Sequence, residues 1–305
     1  MDRSPRARCP VIIDCDPGHD DAIAILFALA SQEIDVRGIT TVAGNQTIEH
    51  TTRNALTVIG LAGHDAIPVA RGAVGPLRRS LRIAPDIHGD TGLDGGGDLP
   101  APAMAPIVAD AAEYLTERLE PGVVLVATGP LTNVAIALGR HARPDQIIWM
   151  GGSVEEKGDV TDAAEFNAFV DPDAAAAVFA AGVEPTMVGL DVTHQARVGP
   201  RYQERLRAAG RAGRFTARLL DFYGAVYRQR HGWDGPPVHD ALAVAVAIDP
   251  ALVRTEHLHV RVHTDGPERG RTEVVKDQEP NAHVAVEVDT ARFLDLLCSR
   301  LESLP

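Results

Sequence analysis

The chain runs to 305 residues with only three cysteines, Cys9, Cys15 and Cys298. They form no CxxC metal pair, and their odd number does not close into a disulfide framework, so a reducing cytosol is the compartment that fits. Positive charge is also scarce. There are 29 Lys and Arg against 42 Asp and Glu, for a formal net charge of −13. An acidic protein repels polyanions at long range, so no nucleic-acid partner and no anionic membrane is expected. No apolar run is long enough to span a bilayer. The opening MDRSPRARCPVII is basic, but its short apolar part leads straight into Asp14, so it does not read as a signal peptide. Internal repeats and linker composition are absent too, which makes one large α/β domain the simplest reading.

What is present is a 45% hydrophobic chain in which short apolar runs alternate with helical periods. Pro10 to Asp14, Val36 to Val42, Val69, Val123 to Ala127, Ile147 to Met150 and Met187 to Leu190 read as strands. Between them, Asp20 to Ala30, Thr47 to Leu61, Ile107 to Leu119, Leu131 to Gly139 and Asp171 to Ala180 read as helices, the last opened by Pro172. Such alternation implies a parallel sheet covered on both faces. Near the C-terminus, Leu258 to His263, Arg271 to Val275 and Val284 to Val288 read as strands without intervening helices, an expected antiparallel annex. Arg292 to Leu301 closes as a helix. Two stretches lack periodicity, Gly72 to Pro106 and Gln229 to Pro237, and long irregular segments in a compact domain are usually lids or binding loops.

Polar clusters fall just after the strands: DCDPGHDD after the first, AGN ending at Asn45 after the second, ATGPLTN with Thr128 and Asn133 after the Val123 strand, and MGGS from Met150. In open parallel sheets ligands bind outside the C-terminal strand ends, so these side chains are expected to converge on one pocket. Asp14, Asp16, Asp20 and Asp21 stand within a few residues of one another. Four carboxylates so close repel at neutral pH, and a divalent cation offsets that repulsion. Oxygen-only ligands point to Ca²⁺ or Mg²⁺, not to zinc. The bland alternative is that Asp20 or Asp21 caps the next helix, a role too small for all four. Glu165 and Asn167, with Asp159 before them, are a plausible reader of sugar hydroxyls; Asx-turn stabilisation of a loop is the plainer reading. His239-Asp240 opens the apolar run ALAVAVAI, and taken alone such a pair is weak support for a site.

Together these residues resemble the inosine–uridine-preferring nucleoside hydrolase family. The resemblance covers most of the chain and is carried by DCDPGHDDA from Asp14, TTVAGN ending at Asn45, IHGDTGL from Ile87, ATGPLTN from Ala127, MGG from Met150, AEFNAFVDPDAA from Ala164 and VHDALAVA from Val238. It implies a single hydrolase domain over residues 1–305, with a Rossmann-like, mostly parallel sheet flanked by helices and extra antiparallel strands near the C-terminus. It also implies a tightly held Ca²⁺, with Asp16, Asp21 and Asp240 as carboxylate ligands and the Thr128 carbonyl as another. Asp16 would also be the general base on a water. Asp20, Asn45 and Asn167 would meet the ribose 2′ and 3′ hydroxyls, Glu165 the 5′ hydroxyl, and Met150 the pocket wall. A dimer or tetramer acting on small-molecule ribonucleosides in cytoplasmic purine or pyrimidine salvage completes the expectation.

The chemistry suits that site. Glycosidic cleavage develops positive charge on the sugar, which a carboxylate-rich pocket favours. The departing base needs a proton, and His239 is the candidate acid, expected to titrate near neutral pH. Asp159 departs from the family, which commonly has Asn there. Beside Glu165 it would set two carboxylates at the 5′ end and reject 5′-phosphates; in the alternative, the loop shifts and Asp159 faces solvent. His88 is expected near the base, as are Tyr223, Tyr227, His231 and Trp233, although the spacing of Tyr223 and Tyr227 equally suits helix packing. His19 is expected to point away from the metal, and Trp149 to be core. Two rivals remain open: a haloacid-dehalogenase-type phosphohydrolase, which shares only Asp14-Cys15-Asp16, and a catalytically silent ribose or calcium binder of the same fold.

Overall fold

A computed structural model describes residues 7–305, so the start of the basic opening segment lies outside the described residues. The chain begins with β1 (Cys9–Cys15), α1 (His19–Leu29), β2 (Ile34–Thr41), α2 (Ile48–Leu61), β3 (Val69–Arg71) and the short α3 (Pro85–His88). It continues through α4 (Ala111–Arg118), β4 (Val124–Ala127), α5 (Thr132–Gly139), β5 (Gln146–Met150), α6 (Phe166–Val170), α7 (Pro172–Phe179) and β6 (Thr186–Val188). Four helices follow: α8 (Leu190–Thr193), α9 (Pro200–Ala208), α10 (Arg211–His231) and α11 (His239–Ile248). The last part holds β7 (Val253–Leu258), β8 (Val260–Val262), β9 (Thr272–Val274), β10 (Ala282–Val288) and α12 (Thr290–Glu302).

Eight strands form one sheet in the order β3-β2-β1-β4-β5-β6-β10-β7, and β8 pairs with β9 apart from it. Alternate side chains of β1 enter different cores. Val11, Ile13 and Cys15 pack with α1 and α11, whereas Ile12 joins Leu125 and Ala127 under α4, α5 and α7. The period of two thus feeds two apolar layers, as a sheet covered on both faces requires. From β1 the chain steps outward to β2 and β3, then returns to β4 on the other side of β1 and steps the opposite way. The reversal leaves a crevice at the C-terminal ends of β1 and β4, where such sheets bind ligands.

The expected mostly parallel sheet with helices on both sides and antiparallel strands near the C-terminus is what the chain forms. Several details differ. Helix α4 starts only at Ala111, where the Asp110 carboxylate accepts from the Glu113 N–H at 2.8 Å, while Ile107 instead bridges Ala70. The run Leu258 to His263 breaks at His259, which divides β7 from β8. β10 is not an annex strand: it pairs parallel to β6 and extends the main sheet, and only β7 reverses against it. Of the segment expected to be irregular from Gln229, the first residues belong to α10, which ends at Gly232 with φ of 71°.

Candidate active site

The Pro17-Gly18 turn after β1 is what turns the acidic motif inward. Gly18 caps α1, and its N–H donates to Asp21 Oδ2 at 3.1 Å, so Asp21 is the carboxylate that performs the capping role. Asp21 is held twice more. Asn45 Nδ2 donates to Oδ2 at 3.1 Å, and Thr128 Oγ1 donates to Oδ1 at 2.8 Å. The loop after β2, the loop after β4 and the start of α1 therefore meet on one buried side chain.

Asp240, at the N-terminal end of α11, completes a group. One oxygen each from Asp20, Asp21 and Asp240 lie within 4.8 Å of one another, all three residues buried. Burial first, and then their mutual repulsion, raise the pKa of Asp20 and Asp240 above the usual carboxylate range, and burial raises that of Asp21. Asp16 is fully buried beside them, raised by burial and then by Asp21. Its Oδ2 accepts from the Asn45 N–H at 2.6 Å, but its Oδ1 has no partner. A buried, unpartnered carboxylate oxygen next to three crowded carboxylates is unfavourable for a metal-free site and apt for a hard divalent cation. These residues fit the metal that the family resemblance implies. Asp14 lies apart from the three: its Oδ1 accepts from Thr40 and from Asn133 Nδ2 at 2.8 Å, and burial pushes its pKa up to about 7.

Above this floor opens a cavity. Of the residues singled out from sequence, Asp20, Asn45, His88, Thr128, Met150, Asp159, Glu165, Asn167, His239 and Asp240 line it. Asp16 and Asp21 sit behind the lining. Glu165 caps α6: its carboxylate accepts from the N–H groups of Gly152, Asn167 and Ala168 at 2.8, 2.8 and 3.0 Å. Burial, and then Asp159, push its pKa up to about 8 against those hydrogen bonds. Asn167 Nδ2 donates to the carbonyls of Thr128 and Met150 at 2.9 and 3.1 Å, which leaves its Oδ1 for a ligand. Asp159 lines the cavity at its rim yet is exposed; desolvation by the surrounding walls pushes its pKa up to about 6, against backbone N–H groups of its own loop and of Phe166 and the charge of Arg230, which lower it. It thus shares the cavity with Glu165 while remaining open to solvent.

His239 differs from expectation. Burial, and then His194, push it well below the ordinary histidine value, so it is neutral at pH 7. It sits in a hydrogen-bonded chain instead: Nδ1 is 2.8 Å from Thr193 Oγ1, Nε2 is 3.1 Å from the Tyr227 hydroxyl, and that hydroxyl is 3.3 Å from the one of Tyr223. Tyr223 and Tyr227 line the cavity and also pack edge to face on α10, so neither reading of their spacing excludes the other. His88 stacks on Tyr223, and its Nδ1 accepts from the His19 N–H at 3.2 Å, which leaves the His88 proton on Nε2. His19 turns from the carboxylates to the carbonyl of Asp94, as expected, and Trp149 is fully buried. His231 lines the cavity, but Trp233 does not: it backs the wall, stacked on His231 and Tyr227 under Arg197.

Arg82, Asp86, Phe166 and Arg230 also line the cavity and were not picked out from sequence. Arg230 was findable, since Tyr223, Tyr227, Arg230 and His231 follow the spacing of one helical face. Arg82 lies in a stretch without periodicity and gave no signal.

Known proteins share this sequence pattern and fold. The family model described as inosine-uridine preferring nucleoside hydrolase matches residues 11–295. A pyrimidine-specific ribonucleoside hydrolase RihA from Photobacterium profundum is 46% identical over 307 aligned positions, covering 96% of this chain and 98% of that one. The RihA of Citrobacter koseri is 45% identical, covering 96% and 97%. Among solved structures, a plant nucleoside hydrolase superposes with a TM-score of 0.92 at 36% identity, covering 97% of this chain and 100% of that one. A purine-preferring ribonucleoside hydrolase from Gardnerella vaginalis gives 0.91 at 35% identity, covering 96% and 98%. The phosphohydrolase reading accounts for none of this. The chain belongs to the inosine–uridine-preferring family of metal-dependent nucleoside hydrolases.

Proposed function

We propose that this ribonucleoside hydrolase is one domain that uses Ca²⁺ at Asp16, Asp21, Asp240 and the Thr128 carbonyl, with Asp16 as the base that activates water. The observation that carries the reading is the unpartnered, buried Asp16 Oδ1 beside the three converging carboxylates. A Ca²⁺ bound there supplies an anchor for the ribose diol and lowers the pKa of the attacking water. Asp16 accepts the water proton at Oδ1 while the Asn45 N–H holds Oδ2 in place. Asp20 and the free Oδ1 of Asn167 accept from the ribose 2′ and 3′ hydroxyls, with Asn45 beside them. Glu165, immobilised by three backbone N–H groups, accepts from the 5′ hydroxyl. Met150 walls off the sugar. As C1′ gains positive charge, the buried carboxylates stabilise it.

The leaving base takes its proton from the Tyr227 hydroxyl, and His239 Nε2–H donates to the phenolate left behind until that oxygen regains a proton from water once the base departs; His88, through Nε2–H, is placed to donate to the base as well. The floor reads the sugar, and the aromatic wall reads the base. The pyrimidine-specific relatives and the purine-preferring structure mark the two outcomes that a substrate panel separates. The direct test is incubation with ribonucleosides in phosphate-free buffer. Free base and reducing sugar in equal amounts support hydrolysis, and a strict requirement for added phosphate counts against it.

We further propose a cytoplasmic homo-oligomer, dimer or tetramer, that serves nucleoside salvage. The three cysteines are free, and no helix among the described residues is long and apolar enough to cross a membrane. Among the described residues, the large apolar side chains left exposed, Val74, Leu77, Met104 and Val108, all fall in one irregular stretch suited to an interface. Sedimentation as a monomer at micromolar concentration, or recovery outside the cytoplasmic fraction, contradicts this part of the reading.

A further inference from the structure

Far from the cavity, the N-terminal ends of β6 and β10 carry a second cluster of ligating groups. His283 on β10 stands directly opposite His257 on the edge strand β7. Directly paired residues of antiparallel strands project from the same face, and these two imidazoles stack with centroids 4.5 Å apart and planes inclined by 12°. Glu184, two residues before β6, brings a carboxylate to both rings. Its Oε2 lies 3.4 Å from His257 Nε2 and 4.0 Å from His283 Nε2. The three ligand atoms lie within 4.8 Å of one another.

These distances do not describe hydrogen bonds, which for N–H···O fall at about 2.7–3.2 Å. They do suit ligands around a common ion. Bonds of about 2.0–2.1 Å in a tetrahedral shell set neighbouring donors about 3.3 Å apart, close to the first distance and a small ring rotation from the second. Glu184 has φ of 44°, a left-handed backbone that a glycine would adopt without strain, and that turn is what delivers the carboxylate here. Two imidazoles and one carboxylate suit a borderline transition ion and not the hard cations of the active site. The side chains are about half exposed, so an ion has free access and water completes its shell.

We propose that Glu184, His257 and His283 form a surface site for a divalent transition-metal ion of the zinc class, distinct from the active site, which ties the edge strand β7 to β10 and β6. The test uses tag-free, full-length protein saturated with Ca²⁺, so that the acidic floor is filled, titrated calorimetrically with Zn²⁺. One equivalent is expected to bind and to raise the melting temperature. His257→Ala and His283→Ala are expected to weaken binding by at least the roughly 10- to 100-fold that loss of a supporting contact costs at metal sites. Glu184→Gln should weaken it too, and nucleoside hydrolysis should be unchanged in all three, which shows that they are folded. A wild-type protein that binds no Zn²⁺ under these conditions overturns the proposal. So does a His257→Ala/His283→Ala double variant with the same isotherm as wild type, because the zinc then sits elsewhere.

Discussion

At the residue scale, the account divides the reaction between two ends of the cavity. In the proposed reaction the Asp16 end makes the nucleophile, and the Tyr227–His239 end releases the base. The two are separable by leaving group. Tyr227→Phe and His239→Gln should lower kcat for natural nucleosides by a factor on the order of 10², within the range typical of general acid catalysis. They should spare a riboside whose leaving group departs as a stable anion, and an equal loss on both substrates contradicts this role in protonating the base. Asp159 makes a second prediction. It and Glu165 face the same cavity, with Arg82 and Arg230 nearby. If the extra carboxylate repels a 5′-phosphate, Asp159→Asn should raise kcat/KM for nucleoside 5′-monophosphates while that for nucleosides changes little. Unchanged selectivity rules the idea out. The acidic motif was legible in the sequence because Asp16, Asp20 and Asp21 are near neighbours in the chain. His239 was legible as a position but not as a protonation state, since burial by Thr193, His194 and Tyr227 comes from elements far off in sequence.

At the scale of elements, two glycines keep room for the Asp16 carboxylate. A Cβ at Gly44 would stand 2.1 Å from Asp16 Oδ2, and one at Gly129 would stand 2.8 Å from Oδ1. These loops, after β2 and β4, approach the Asp16 carboxylate from two sides. Gly44→Ala should therefore displace Asp16 and break its bond from the Asn45 N–H. A shift of about 1 Å at a reacting group can cost about 10²-fold in rate, so kcat should fall by that order while circular dichroism stays native. Wild-type activity in this variant contradicts the placement of Asp16. The loops themselves were readable as strand ends. The pairing direction of β10 was not, because a short alternating run looks the same whether its neighbour is parallel or antiparallel. The end of α10 was missed for another reason: Gln229 to His231 belong to its last turn, and the polar, basic composition that completes a helix resembles that of a loop.

At the scale of the whole molecule, the carboxylate floor ties metal binding to stability. Asp21 joins α1 to the loops after β2 and β4, and Asp240 brings in α11. Without a cation the group is self-repelling, so chelation should lower the melting temperature and added Ca²⁺ should restore it. At a concentration 100-fold above Kd, a ligand specific for the native state adds about 2.7 kcal/mol. A melting temperature indifferent to both treatments means that no cation is held there.

The most direct test of the central claim is release of free base and ribose from inosine, adenosine, guanosine, uridine and cytidine. The assay is run with Ca²⁺, after stripping with a strong chelator, and with Asp16→Ala. The account predicts turnover of at least one nucleoside with Ca²⁺, loss on stripping, recovery when Ca²⁺ is returned, and a loss in Asp16→Ala that Ca²⁺ does not repair. Undiminished turnover in the stripped enzyme or in Asp16→Ala would contradict it.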